Sequence, residues 1–384
     1  MNSCQNRSAF QGSDTNSLWE FPAGDFLVLA RPDVPGLYIL NSSARLIWEV
    51  LKSGAPFEEL VRQFASTYDI PAEMATRDVL RTVDDWQAGL FSCGRNTPLS
   101  TRFTGAPAPS TPYHFMCDYV VQGRNVRVML QTSELAEEIA PRFQSLPPAP
   151  SGPDFTFRVV EDLNGFRIFR DQCCVASEES IGEIRGVLLQ EIVRSCRGRE
   201  TLALFHAGAC GSNSQCVIFP ATTRSGKTTL AAVLMKTGLR FYADDSVLLE
   251  RDTLSVPVMP FALTIREGSW DVLYSWFPEL RNTPIVCRFG QNVRFLPPLG
   301  EEQDGCCEKV AAIVFVQFKP DAANELSSLD PLQTLIRLQE SGFWVDHDEQ
   351  NIREFLAWIQ STASFTLSYS DVDVAASIIR CLIG

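Results

Sequence analysis

The sequence predicts an α/β chain in two folded parts. A small α+β domain of winged-helix-like pattern comes first, and a larger α/β domain with a β-rich lobe follows. Three observations carry this reading. Between residues 23 and 92, two short apolar runs precede three segments with helical spacing of apolar residues. Residues 97–113 hold four prolines and little apolar content, which marks a break. Beyond the break, an apolar strand, a loop ending in Gly226-Lys227-Thr228 and a helix stand in that order between Cys216 and Lys236. The length of 384 residues suits two or three domains, at roughly 100–200 residues each. A hydrophobic content of 45% is enough to fill their cores.

The elements follow in chain order. Residues 1–22 are polar at their start, carry no apolar signal core, and are expected to form a disordered arm. In residues 23–92, Phe26–Leu29 and Gly36–Leu40 read as two strands joined through Pro32 and Pro35-Gly36. Asn41 offers an N-cap to a helix with Ala44, Ile47, Trp48 and Leu51 on one face. Pro56 starts a second helix with Leu60, Val61 and Phe64 inward. Pro71 starts a third with Met74, Val79, Val83, Trp86 and Leu90 inward. Residues 93–112 are a linker, semi-extended by proline.

Residues 113–384 form the larger domain. Val120–Met129, Phe155–Val160 and Gly165–Ile168 read as strands of a β-rich lobe, interrupted by the proline-rich stretch Leu146–Pro153. Ile181–Arg194 reads as a helix. Leu202–Gly208 reads as a strand carrying His206 near its end, and Arg240–Asp245 as a strand ending in paired carboxylates. Ser246–Glu250 and Ser255–Met259 suggest a hairpin.

Composition excludes several function classes. With 33 basic and 46 acidic residues the net charge is −13, which argues against a nucleic-acid partner, since that needs basic surface. No apolar run approaches the ~20 residues of a membrane span. No membrane partner and a cytoplasmic location are therefore expected. The 12 cysteines include adjacent pairs at Cys173-Cys174 and Cys306-Cys307 but no Cys-x-x-Cys. His114, His206 and His347 lie far apart, so the expectation is unpaired thiols and no zinc site.

The loop from Ala221 to Thr229 reads Ala-Thr-Thr-Arg-Ser-Gly-Lys-Thr-Thr. It fits the phosphate-binding pattern Gly-x4-Gly-Lys-Ser/Thr except at its first position. The candidate nucleotide-binding residues are Ala221, Thr222, Thr223, Arg224, Ser225, Gly226, Lys227, Thr228 and Thr229. Backbone N–H groups at a helix N-terminus cradle phosphate oxygens. Lys227 is placed to neutralise them, and the Thr228 hydroxyl to hold Mg²⁺. Asp244 and Asp245 add hard oxygen ligands about 15 residues on, the spacing that makes Mg²⁺ binding the better reading than a bare turn. Adjacent residues on a strand face opposite ways, so the metal and base roles can fall either way between the two. No Asn-Lys-x-Asp for guanine is present, which favours ATP over GTP.

Residues 23–92 resemble the PqqD family of peptide chaperones. The resemblance rests on Pro35-Gly36-Leu37-Tyr38-Ile39-Leu40-Asn41, Ala44, Ile47-Trp48, Gly54, the acidic second helix and the closing Gly89-Leu90-Phe91. It implies a precursor (leader) peptide as partner, bound as an added strand on the sheet edge beside the third helix. A winged-helix-like packing domain is the plainer alternative. Residues 113–384 resemble the HPr kinase/phosphorylase superfamily, specifically its smaller HPr-kinase-related members. The matching residues are His206, Ala221–Thr229, Ala243-Asp244-Asp245, Pro260–Trp270, Ala311–Phe318 and Phe365–Ala375. Family members favour Gly at the positions of Ala221 and Arg224, and Ser near Thr223.

The second resemblance implies a P-loop kinase that moves the γ-phosphoryl of ATP to a serine of a protein or peptide. In lasso-peptide and related pathways that substrate is a ribosomally made precursor. Charge and reach then suggest roles: Lys227 and the Gly226 backbone on the phosphates, Thr228 and Asp244 on Mg²⁺, and Asp245 as base. His206 would touch the γ-phosphate or tune the carboxylates, unless it is a packed histidine. Arg266 would meet a phosphate, unless it is a surface cation. A linker between recognition and kinase domains would raise the effective concentration of the bound peptide to the millimolar range. The loop departures leave open a nucleotide-sensing peptide-binding module with no transfer step. Phosphorylase activity and a homo-oligomer are also left open.

Overall fold

The computed structural model describes residues 18–32, 34–88, 112–163, 165–198, 200–222, 224–288, 290–300, 305–307 and 309–383. Residues 1–17 of the expected 1–22 arm, most of the linker, Gly89-Leu90-Phe91 and Thr223 lie outside them. The chain packs as two compact units, Met1–Pro98 with Asp346–Gln360, and Leu99–Val345 with Ser361–Gly384. A single division at the proline-rich break was expected. Instead, a segment from deep in the C-terminal half belongs to the first unit.

The first unit holds a three-stranded antiparallel sheet, β1 (Trp19–Ala23), β2 (Phe26–Arg31) and β3 (Val34–Leu40), in that order. The sequence suggested two strands. Trp19–Pro22 fell within the expected arm of residues 1–22, and the strand Trp19–Ala23 corrects that reading. It pairs along its whole length with β2, from Trp19 opposite Ala30 to Ala23 opposite Phe26.

Three helices follow: α1 (Ser42–Lys52), α2 (Phe57–Tyr68) and α3 (Ala72–Ala88). The Asn41 side chain accepts from the Ala44 N–H at 3.0 Å, as an N-cap should. Leu27, Leu29, Leu40, Ile47, Trp48, Leu60, Phe64, Val79, Val83 and Trp86 form one buried cluster. Met74 was expected inside but is 43% exposed, and fully buried Ala75 takes the inward position.

Side chains alternate along a strand, so Phe26, Val28 and Ala30 face away from this cluster. They are nonetheless buried, with Phe21 and Ala23 beside them. The segment Asp346–Gln360 accounts for this. Its helix, Glu349–Ser361, buries Ile352, Phe355, Leu356, Trp358 and Ile359. The Arg353 guanidinium lies 5.3 Å from the Phe21 ring centroid, and the His347 ring lies 5.7 Å from that of Trp19. The first unit is thus a sheet covered on both faces.

The second unit is mixed α/β. Its lobe is a five-stranded sheet of Phe115–Val121, Arg124–Leu130, Phe155–Asp162, Gly165–Arg170 and Cys173–Glu178, in chain order. Val120–Met129 is therefore a hairpin turning at Gln122-Gly123, both with positive φ, rather than one strand. The helix Ile181–Cys196 follows, capped by Ser180.

The larger sheet has six strands. Gln215–Pro220 lies between Ala207–Gly211 and Lys309–Phe318, and the latter pairs with Ala363–Tyr369. Pairing among Gln215–Pro220, Lys309–Phe318 and Ala363–Tyr369 is parallel. Arg240–Ala243 and Glu325–Ser328 form the edges. The helices Lys227–Lys236 and Val372–Ile383 share the core, through residues such as Leu230, Val233, Ala375 and Ile379.

Two strand readings change here. Leu202–Gly208 is split: Thr201–Phe205 pairs with Val247–Glu250 and Phe343–Val345, while Ala207–Gly211 joins the six-stranded sheet. His206 is the joint between the two sheets. The proposed hairpin keeps a bond across its turn, from the Glu250 N–H to the Ser255 carbonyl at 3.0 Å, but its two strands join different sheets, Val256–Pro257 pairing with Cys306–Cys307. The described cysteines are free thiols. Among the described residues no helix is long and apolar enough to cross a membrane.

Candidate functional site

The strand Gln215–Pro220 is almost wholly buried and ends at a loop that re-enters the fold as the helix Lys227–Lys236. Within that loop, Arg224 (φ 70°) and Gly226 (φ 92°) take left-handed backbone conformations. Gly226 is the N-cap and offers no side chain to the first helical turn. The turn's N–H groups, which no helix satisfies internally, are left for another acceptor.

The loop is gripped from behind. The Phe318 N–H donates to the Ser225 carbonyl at 2.9 Å, and the Tyr369 hydroxyl donates to the Gly226 carbonyl at 3.2 Å. A Cβ on Gly226 would fall 2.2 Å from that hydroxyl, so position and conformation both demand glycine. Ser225 is buried, and its hydroxyl has no hydrogen-bond partner among the described residues.

A charged cluster meets the loop. Lys227 Nζ lies 3.2 Å from His206 Nε2 and 3.6 Å from Asp245 Oδ1. An ammonium group only donates, so His206 Nε2 accepts and Nδ1 carries the proton. Nδ1 lies 3.0 Å from the Asp245 carbonyl and donates to it. Asp245 itself has positive φ, at 71°, which turns the carboxylate out of the strand path. Its Oδ2 pairs with the Arg142 guanidinium at 3.0 Å.

Arg142 is 3% exposed and also donates to Thr264 Oγ1 at 2.6 Å and to the Ala262 carbonyl. Asp244 is fully buried and receives the Thr228 hydroxyl at 3.1 and 3.2 Å to its two oxygens. Burial first, and the Asp245 charge second, push the Asp244 carboxyl up to about 6. Lys227, Arg142 and the Thr228 hydrogen bond pull the other way.

Most of the sequence-derived site residues converge here. His206, Lys227, Thr228, Asp244 and Asp245 form one contiguous cluster. Arg224, Ser225, Gly226, Thr229 and Arg266 line the same cavity of about 640 Å³ as Lys227, Thr228 and Asp245. Thr229 also donates to the Ser269 hydroxyl at 2.7 Å, tying the helix to the far wall.

Two described residues differ. The Ala221 side chain sits in the hydrophobic core, 5% exposed, and presents nothing to a ligand. Thr222 is exposed. Thr223 is outside the described residues. Arg142 was missed altogether. It comes from a one-turn helix, Ala140–Phe143, in the lobe. Its only signal in the sequence is a lone cation inside the apolar run Ile139–Phe143.

The donor set suits Mg²⁺. The Thr228 hydroxyl and Asp244 carboxylate converge, and a magnesium site is completed by phosphate oxygens and water rather than by a protein cage. Among the described residues no group of three or more metal-ligating side chains occurs, so no all-protein metal cage is present.

Comparison with known proteins bears on the first unit. Residues 27–89 match the family model described as coenzyme PQQ synthesis protein D (PqqD). The matched span begins in β2 and runs through α3, so the chain carries a PqqD-like domain. No match was found among curated proteins.

Proposed function

We propose that this protein is an ATP-dependent serine kinase acting on a ribosomally made precursor peptide held by its PqqD-like domain. One observation carries the reading. Lys227, Thr228 and the N-terminal turn of one helix line a cavity together with Asp245, and His206 and Asp244 touch Lys227 and Thr228 from beside it. That is the equipment phosphoryl transfer requires: a cradle for phosphates, a metal-ligand pair and a carboxylate for the acceptor.

In the proposed reaction the serine oxygen bonds to the γ-phosphorus, and the bond to the β–γ bridging oxygen breaks. The serine proton passes to a carboxylate, and ADP leaves. Asp245 lines the cavity and is the proposed acceptor of that proton. Asp244 and Thr228 would hold Mg²⁺, which supplies neutralisation of phosphate charge. His206, as an Nε2 acceptor, keeps the Lys227 ammonium over the loop. The PqqD-like domain supports the peptide partner, bound as a strand on a free sheet edge.

The test is full-length protein with Mg-ATP and a cognate precursor peptide, read by mass. Phosphopeptide that disappears with Lys227→Ala, while the variant keeps its melting temperature, is the expected result. ATP binding without phosphopeptide from any precursor would sink the kinase reading.

A second reading has an observation of its own. Both Asp245 oxygens already face cations, Lys227 and Arg142, which weakens the carboxylate as a base. The protein would then sense nucleotide and hand over peptide without transfer. Under that reading Lys227→Ala leaves peptide modification intact in a reconstituted pathway.

A further inference from the structure

The cavity that the phosphate loop lines also carries an apolar wall beside that loop. Phe318, at the end of the strand Lys309–Phe318, is 45% exposed. Val272, from the short helix Trp270–Tyr274, is also 45% exposed. Val372, the first residue of the C-terminal helix, joins them on the same cavity. Leaving such surface wet forfeits about 25 cal/mol per Å².

The Phe318 ring is fixed on two sides. Its backbone N–H holds the Ser225 carbonyl, and its ring meets Tyr369 edge to face, with centroids 5.6 Å apart. What remains of the ring is presented to the cavity.

We infer that this wall is a nucleobase slot, in which a purine ring stacks on Phe318 between Val272 and Val372 while the triphosphate reaches Lys227. The inference rests on the phosphate-loop reading above and deepens it by assigning the base of the proposed ATP to named side chains. The cavity volume of about 640 Å³ falls within the ~300–1,000 Å³ usual for cofactor sites. Its lining has the two characters a nucleotide has: Lys227 and a helix N-terminus for phosphate, and the Phe318 ring beside them for a base. Stacking a base on an aromatic side chain is worth about 1–3 kcal/mol.

The experiment measures binding of Mg-ATP and of Mg-tripolyphosphate to the full chain by calorimetry. Tripolyphosphate carries the phosphates without the base. Wild type should bind ATP more tightly than tripolyphosphate. Phe318→Ala should weaken ATP by about 5- to 150-fold, the range that stacking implies, and leave tripolyphosphate within twofold. Val272→Ser, at a half-exposed position that folding tolerates, should show the same asymmetry to a smaller degree. If ATP and tripolyphosphate bind wild type equally, or if Phe318→Ala weakens both alike, the slot is refuted and the phosphate loop stands. If neither ligand binds wild type, the phosphate reading falls and takes the slot with it.

Discussion

Arg142→Met isolates the interaction that the sequence concealed. Arg142 is 3% exposed and Asp245 16% exposed at the side chain, with 3.0 Å between Nη2 and Oδ2. Removing one partner of a buried pair strands the other charge, at a cost of about 3–5 kcal/mol. Two terms adjust that figure. Lys227 remains 3.6 Å from the other oxygen and relieves part of the stranded charge. Against this, Thr264 Oγ1 and the Ala262 carbonyl lose their buried donor, at about 1 kcal/mol each. The net expectation is about 3–4 kcal/mol lost from the second unit. Urea unfolding followed by circular dichroism reads it as a lowered midpoint at unchanged slope. Arg142→Met/Asp245→Asn should recover part of the loss, because the stranded carboxylate is gone although Lys227 then loses its ion partner. A single variant within about 0.5 kcal/mol of wild type, which is the range of ordinary surface changes, would refute the pairing argument. So would a double variant no better than the single one.

Three further outcomes are expected. Gly226→Ala places a Cβ 2.2 Å from the Tyr369 hydroxyl at φ 92°. Binding of Mg-tripolyphosphate should be lost, with a melting temperature lowered by the ~1–3 kcal/mol of a strained backbone; unchanged binding would show that the loop is looser than its contacts imply. Asp244→Asn tests the raised carboxyl. A folded value near 6 against an ordinary 3.8 means that the folded state binds the extra proton. The resulting stability is full below about pH 4 and is lost as pH rises through 6, by roughly 3 kcal/mol for a fully buried group. Nucleotide-free wild type should show that slope in pH-dependent melts, and the asparagine variant should not. Phe355→Ala, at a fully buried position of the helix Glu349–Ser361, should cost about 3–5 kcal/mol. Hydrogen exchange would register that cost in β2 of the first unit, and its appearance only in the second unit would contradict the packing.

What the sequence made legible follows from locality. The loop helix announces itself because its strand, glycine, lysine and apolar face are consecutive, and Lys227–Lys236 forms within one residue of expectation. The PqqD-like helices are legible for the same reason, with Asn41 capping as read. Met74 failed because positions 74 and 75 are neighbours on one turn, and Ala75, a weak hydrophobic signal, fills the tighter space. His206 was placed on one strand because apolar residues flank it on both sides in Leu202–Gly208. A run buried on both faces carries no mark of where it passes from one sheet to the next. Arg142 was hidden by distance, since no local pattern ties residue 142 to a carboxylate at 245.

The arm and the tether change together. Trp19–Ala23 is a strand rather than part of an arm because β2 and the helix Glu349–Ser361 give its apolar side somewhere to go. That helix is contributed by the C-terminal half of the chain, so the two units are joined by three covalent passages, after Pro98, Val345 and Gln360. A single flexible linker at residues 93–112 would set the effective concentration of a captured peptide by its length alone. With two more passages, linker length alone does not set it, and under the proposed kinase reading lengthening the linker should leave phosphopeptide yield nearly unchanged. The two added passages also flank the site. Gly342, before the first, accepts the His206 N–H at 2.9 Å, and Tyr369, after the second, holds the Gly226 carbonyl. Cutting the chain at the linker therefore cannot yield an intact first unit. The 1–98 fragment would expose Phe21, Phe26 and Val28, and it should aggregate unless residues 346–360 are supplied.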